Sequence, residues 1–447
     1  MRGHRQGVHD RAKQRGWTAF PPSFALWGDM AAAQVVVIGA GASGMMAAGR
    51  AAECGAHALL LEKTPRLGNK LRLTGKGRCN ITNEAELSEF VVHFGATGRF
   101  LYGAFSRFFV KDLTAFFNQR GVPTMVERGG RVFPVSNDAR QVVGALEGYL
   151  AVNGVQVRFR SPVEHLLTAD GRILGVRVAG HVLPCAATVL ATGGASYPRT
   201  GSTGDGYRLA AEVGHHIVPI RPALVPLVAR EPWVSQLQGL SLRNVQVTLL
   251  LEGKPIAQDF GEMLFTHFGV SGPTILTLSR KAVDALPRGQ VALSINLKPA
   301  LTAEELDRRL QQELYLRQGR RRLHNILAEL LPARMIGAVA ALLGISPDKP
   351  GSQVSASERK RLRALLQDLQ VTIEGPRPIA EAIVTAGGVD TTEIDPRTME
   401  SRLVRGLFFC GEVMDVDADT GGYNLQAAFS SGYLAGESAA RCVEPLG

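Results

Sequence analysis

The segment Gln34-Val-Val-Val-Ile38 runs without interruption into Gly39-Ala-Gly41-Ala-Ser-Gly44 and a run of small residues through Glu53. No other stretch limits the fold as tightly. A continuous β-branched run suits a strand buried on both faces of a parallel sheet. The G-x-G-x-x-G pattern after it suits a turn that opens a helix. Gly39 permits the tight turn, Gly41 lets a diphosphate approach the backbone, and Gly44 lets helix and strand pack. Ala42 and Ser43 then lie at the helix N-terminus, where free N–H groups and the positive dipole end favour phosphate. Gly55 ends the helix, and Ala58-Leu-Leu-Leu61 forms the next buried strand with Glu62 at its tip, eighteen residues beyond Gly44. An acidic residue there accepts hydrogen bonds from ribose hydroxyls, with Lys63 beside it. The spacing predicts a βαβ unit that binds a dinucleotide.

Later segments choose between dinucleotides. A nicotinamide dehydrogenase would continue in regular βαβ repeats. Here about a hundred residues and then an antiparallel meander intervene before the next apolar strand, Ala187–Ala191, which meets Thr192-Gly193-Gly194. The intervening stretch reads as an Arg/Gly-rich loop (67–83), an aromatic amphipathic helix (99–119), a hairpin (126–135) and a helix (139–152). An antiparallel meander of 155–159, 163–167, 173–178 and 181–185 follows. Near the end, Leu407-Phe-Phe-Cys410-Gly411-Glu412 is a strand tipped by a carboxylate. Thr420-Gly421-Gly422-Tyr423-Asn424 opens a last helix whose N–H groups suit the electron-rich edge of a flavin. Three widely separated segments thus point to one FAD held by a discontinuous domain. A second strand–GxGxxG–helix unit is missing, so NAD(P)H is expected only as a transient co-substrate visiting the flavin.

Between the two halves the texture changes. Prolines at 198, 219, 222 and 226 punctuate the chain, 225–297 reads as short strands, and 302–365 as helices. The expected organisation is a tail (1–30, disordered or mis-started), a first FAD-binding part (31–196) and a β-rich insert (197–300). A helical subdomain (301–365), a return strand of the insert (366–375) and a second FAD-binding part (376–447) complete it. The fold class is α/β: a Rossmann-like FAD-binding domain carrying inserted β-barrel-like and small helical domains.

Composition removes several alternatives. Five cysteines without a C-x-x-C pair argue against a disulfide framework or thiolate zinc site and for a reducing, cytoplasmic setting. The first thirty residues are basic but lack an apolar core, so a secretory signal is not expected. No run of about 18 apolar residues predicts a membrane span. The net charge of +10 invites a nucleic-acid reading. Its densest clusters, at Arg320–Arg322 and Arg359–Arg363, alternate with leucines at helical spacing and read as solvated helix faces. A nucleic-acid partner is therefore not expected, and oligomeric state is not readable. Asp415, Asp417 and Asp419 imitate the start of a calcium loop, but Gly421 falls one place late and Gln426 stands where a glutamate is needed, so no metal is assigned.

Together, Val36–Gly44, Leu73–Asn83, Ala191–Pro198, Gly261–Pro273 and Ala386–Gln426 closely resemble the BaiN/YhiN-like, aminoacetone-oxidase-type family of FAD-binding flavoproteins. The likeness covers about residues 33–440. It implies a Rossmann-like domain interrupted by a barrel-like and a helical domain. It also implies an oxidoreductase for a small organic substrate, either an enone-type reductase or an amine-type oxidase. Ser202–Tyr207 also looks like the wider fumarate-reductase and aspartate-oxidase group.

Several residues carry specific expectations. Arg78, Asn80 and Asn83 are expected to line the isoalloxazine or an adjacent phosphate. Cys79 reads chiefly as a thiol packed near the flavin, and His267, in a loop of small residues, as a candidate proton donor. His215 reads as a helix-end cap. Hydride transfer through flavin N5 is the expected chemistry. A flavin-dependent RNA-modifying protein and a non-enzymatic FAD redox sensor are the competing functions.

Overall fold

The computed structural model describes residues 34–317 and 320–443. The tail expected at 1–30 lies outside the described residues. The architecture is of the expected class, a Rossmann-type α/β domain with an inserted closed barrel and helices.

A five-stranded parallel sheet is the centre of the first domain. Its order is Leu407–Phe409, Ala187–Leu190, Val35–Ile38, Ala58–Leu61, Gln156–Arg158. Val35 sits opposite both Ala187 and Ala58, so the two nucleotide-motif strands flank the first strand in register. All four residues of each of these three strands are buried, as their uninterrupted apolar sequences require. The segment near 155–159 is thus not part of the meander. Gln156–Arg158 pairs in parallel with Leu59–Leu61 and extends the sheet, while only 163–169, 172–178 and 181–184 form the antiparallel three-stranded sheet. Period-two alternation reports half-burial, which a sheet-edge strand shares with a meander.

Two helices seal one face of the sheet. The first, Ala42–Glu53, packs along the last, Tyr423–Arg441, through glycines. A β-carbon at Gly432 or Gly436 would collide with the backbone of Ser43 or Ala47. Tyr149, from the helix Ala139–Val152, lies flat against Gly49 and donates its hydroxyl proton to Glu53 at 2.8 Å.

The expected single helix over 99–119 is broken. A 3₁₀ turn (Gly95–Leu101) leads into Tyr102–Arg107, and a separate helix spans Val110–Gln119. Phe108 between them is extended, with its ring stacked on Tyr433 at 4.5 Å and its carbonyl accepting from Ser430 Oγ at 2.6 Å. Those contacts with the last helix outweigh local helical continuity.

The insert hangs from an antiparallel pair, Ile217–Ala223 with Val384–Val389. Beyond it a closed six-stranded barrel runs Leu227–Ala229, Gly269–Ser271, Lys254–Phe265, Ser241–Leu251, Val291–Asn296, Leu369–Pro376. Two of these strands are long, eleven and twelve residues, where short ones were expected. A helix, Pro273–Ala285, also stands inside this strand-rich region. Pro273 takes its first position, which tolerates the missing N–H. The helical segments between 303 and 367 cover the barrel and share its core of leucine, isoleucine and valine.

His215 is not a side-chain cap. It is buried, with Nδ1 2.9 Å from Glu393 and Nε2 2.8 Å from Ser401, and it packs edge-on against Phe409. Burial pulls its pKa below the usual imidazole value, against the pull of Glu393. Among the described residues no helix is long and apolar enough to cross a membrane.

The glycine seam carries a direct test. Gly436→Leu forces apart two helices whose backbones touch, at a cost of about 1–3 kcal/mol or more by overpacking. Thermal unfolding of that variant should begin at lower temperature, whereas Val152→Ala, at an 88% exposed position, should leave the transition unchanged.

Candidate flavin site

A cavity of about 370 Å³ opens at the C-terminal ends of the parallel strands. That is the crevice where α/β sheets bind ligands, and the size is within the usual range for small-molecule sites. Its lining draws on all three separated segments: Gly39, Gly41, Ala42 and Ser43; Thr192 and Gly193; Gly411, Glu412, Gly421, Gly422 and Asn424. Glu62, Lys63 and Asn80 also reach it. Fourteen of the twenty residues singled out from sequence therefore meet in one place.

The glycines divide into two groups by what a side chain would do. At Gly39 and Gly44 a β-carbon would strike backbone, of Ala191 and of Gly39 respectively, so these two serve packing. Gly44 accordingly does not line the cavity. At Gly41 a β-carbon would meet nothing within 4 Å, so this backbone stands open. Gly41 is also the N-cap of the first helix and no side chain caps it, leaving the first N–H groups to a ligand. The last helix likewise begins at an uncapped residue, Gly422, with φ 106°. Two helix N-termini thus border one cavity, as an extended molecule with a diphosphate and an electron-accepting ring requires.

Ionisable groups are held in fixed places. The Glu62 carboxylate accepts from Ala40 N–H at 2.8 Å and Thr64 N–H at 2.7 Å, which clamps it beside the first turn. Lys63 pairs with Asp205 and bonds Thr203. Glu412 accepts from Thr385 N–H at 2.8 Å, from Ser196 Oγ at 3.1 Å and from Lys70 Nζ at 2.6 Å. Lys70 escaped the sequence reading because nothing in its loop distinguishes it from its neighbours. Leu71, Leu101, Leu224, Ile383, Met414 and Val416 give the cavity its apolar wall.

Six predicted residues do not line the cavity. Arg78 turns toward Glu127 and Asn137 and lies over the Phe133 ring at 4.2 Å. The carboxylate of Glu127, unpredictable from the loop itself, outcompetes the cavity for the guanidinium. Asn83 is buried and donates to the carbonyls of Gly129 and Gly421, positioning the turn before the last helix. Tyr423 is buried against Phe90 and His93. His267 is exposed in the turn between two barrel strands, its ring against Phe268. Cys79 is fully buried, and burial pushes its thiol up to about 12.

Asn80 keeps a buried side-chain oxygen without a hydrogen-bond partner while lining the cavity. A buried orphan acceptor costs about 1–3 kcal/mol unless a ligand donor satisfies it. A ring N–H, such as oxidised flavin carries, would do so. With the open Gly41 and the two helix ends, the residues fit FAD. Asp415, Asp417 and Asp419 diverge to Gly387 N–H, Arg280 and His93. Among the described residues no cluster of His, Cys, Asp or Glu could hold a metal.

Comparison with known proteins gives the family and the fold. Residues 33–438 match the HI0933-like protein Rossmann domain. A 3-dehydro-bile acid delta(4,6)-reductase of Clostridium scindens is 33% identical over 411 residues, covering 91% of this chain and 99% of that protein. A ribosomal RNA dihydrouridine synthase of Escherichia coli is 33% identical over 398 residues, covering 89% and 96%. Among solved structures, the 3-ketosteroid delta1-dehydrogenase of Sterolibacterium denitrificans shares the fold at 14% identity and a TM-score of 0.50, covering 91% of this chain and 99% of that one.

Cys79 supplies the test of this site. A thiol that is buried and protonated should resist alkylation in the native state at pH 8, and Cys79→Ser should keep turnover within about twofold. Loss of flavin reduction in that variant would give the sulfur a redox role.

Proposed function

Because the chain belongs to the HI0933-like family of FAD-dependent oxidoreductases, we propose that it reduces a carbon–carbon double bond conjugated to a ring carbonyl. One observation carries this reading. The two 33%-identical relatives have names that describe one reaction class on unlike molecules. Saturating a delta(4,6)-3-oxo ring system and converting uridine to dihydrouridine both add hydride and proton across a C=C conjugated with C=O. Neither name describes amine oxidation.

Bound FAD supplies the two-electron chemistry, and reduced nicotinamide dinucleotide is the proposed electron donor. The chain's own residues hold and shield. Gly41, Ala42 and Ser43 would take the diphosphate, Glu62 the adenosine ribose, and Glu412 the ribityl chain. Asn80 and the N-terminus of the last helix would take the ring. Leu101, Leu224, Ile383, Met414 and Val416 give the cavity an apolar wall, which would disfavour water around the reacting bond. No described element provides a second dinucleotide fold, and donor and acceptor would both come to this cavity.

Two acceptors fit this chemistry: a small ring enone and a uracil ring presented by RNA. The bile-acid reductase and the apolar part of the cavity lining favour the first. The ribosomal-RNA enzyme and the chain's net charge of +10 favour the second. Basic helices of the insert are partly neutralised, Arg359 by Asp307 at 3.0 Å and Lys349 by Glu358 at 2.8 Å. The small-molecule acceptor is therefore the reading we favour.

Anaerobic stopped-flow mixing decides. Purified, FAD-loaded protein should be bleached by NADH or NADPH and regain its yellow absorbance on mixing with a 4-en-3-one steroid. Recovery with uridine-containing RNA alone, suppressed by salt, would move the substrate to RNA. Recovery with neither, but with oxygen, would overturn the reductase reading.

A further inference from the structure

Seven ionisable side chains line the cavity: Glu62, Lys63, Arg66, Lys70, Asp205, Glu412 and Asp419. Glu62 is clamped by backbone N–H groups, and Lys63–Asp205 and Lys70–Glu412 are ion pairs. Arg66 has no proton to give near neutral pH. Asp419 alone among them has an imidazole behind it: its Oδ2 lies 3.0 Å from His93 Nδ1.

The dyad is held rigidly. Asp419 N–H donates to the His93 carbonyl at 3.3 Å, and the His93 ring stacks on Tyr423 at 3.9 Å. The side chain of Asn424 bonds the backbone of Ala418 and Asp419, fixing the loop that carries the carboxyl. His93 remains 28% exposed, so the dyad connects the cavity with solvent. On the barrel strand Lys254–Phe265, the carboxyl of Asp259 is pushed above its usual range first by burial and then by the charge of Asp419. Arg280 and Tyr423 also feel the charge of Asp419.

From this geometry we propose that Asp419 is the general acid that protonates the α-carbon of the conjugated double bond, recharged from solvent through His93. The proposal rests on the reductase reading above. The reaction balances as follows: the π bond breaks, the β-carbon takes hydride from the reduced cofactor, and the α-carbon takes the carboxyl proton. Asp419 is left as carboxylate and regains its proton from His93 Nδ1, while the imidazole takes a proton from water at Nε2.

The test uses full-length protein loaded with FAD, reduced anaerobically with dithionite, and mixed with a 4-en-3-one steroid, cyclohexenone and a uridine-containing RNA. With whichever acceptor reoxidises the parent protein, D419N should reoxidise about 10²-fold or more slowly, the usual scale of general-acid catalysis. D419E should recover part of the rate. H93Q, which acts through the carboxyl, should slow reoxidation less, shift its pH profile and change its solvent deuterium isotope effect. Flavin absorbance after gel filtration separates a missing acid from a missing cofactor. Should D419N not retain FAD, the H93Q pH profile decides. Parent-like rates in D419N, or an unmoved profile in H93Q, overturn the assignment. A parent protein that no conjugated acceptor reoxidises would instead fault the reductase reading.

Discussion

Contact between the first helix and the last one is the constraint on which the site depends. Ser43 Oγ lies 3.5 Å from the carbonyl oxygen of Cys410, 367 positions away, and Gly411 N–H donates to Ser431 at 3.0 Å. Glycines on the last helix let it approach the backbone of Ser43 and Ala47 directly. Without that approach, the open turn at Gly41 and the uncapped start at Gly422 would belong to two half-sites. Strand order does the rest: placing Leu407–Phe409 beside Ala187–Leu190 sets three chain segments at one end of one sheet.

What could be read from the sequence was what local chemistry dictates. Val35–Gly44 is a strand, a turn and a helix because β-branched residues, glycines and small residues leave little else. Glu62 follows from its place at a strand tip. Reading failed where distant partners decide. Arg78 looked like a cavity residue until Glu127, across a hairpin, claimed its guanidinium. Phe108 breaks a helix to stack on Tyr433, a partner more than three hundred positions away. Lys70 and Asp419 carried no pattern of their own. Asp419 even stands in a run that imitates a calcium loop, a pattern that hides its place at the cavity. The helix Pro273–Ala285 was hidden by the strand-like texture around it, although Pro273 after a glycine is a common way for a helix to start.

Electrostatics in the cavity follow a division of labour along its length. Around Glu62 and Lys63, charges are fixed by backbone N–H groups and by ion pairing, which suits recognition of an adenosine moiety that takes no part in reaction. Around Glu412 and Lys70, a carboxylate and an ammonium are bound to each other and to Ser196, which suits a flexible chain of hydroxyls. Only at the start of the last helix do a carboxyl and an imidazole meet with a route to water. The thiols of Cys79 and Cys410 are fully buried, and burial pushes each up to about 12.

The double-stranded neck formed by Ile217–Ala223 and Val384–Val389 has a consequence for how the protein is made. Barrel and covering helices form a contiguous stretch of chain with its own core, so they can mature while still attached to the ribosome. The parallel sheet cannot: its last strand and its sealing helix are translated after the entire insert. The cavity lining is therefore complete only once Gly411–Ser431 has been translated, after the whole insert.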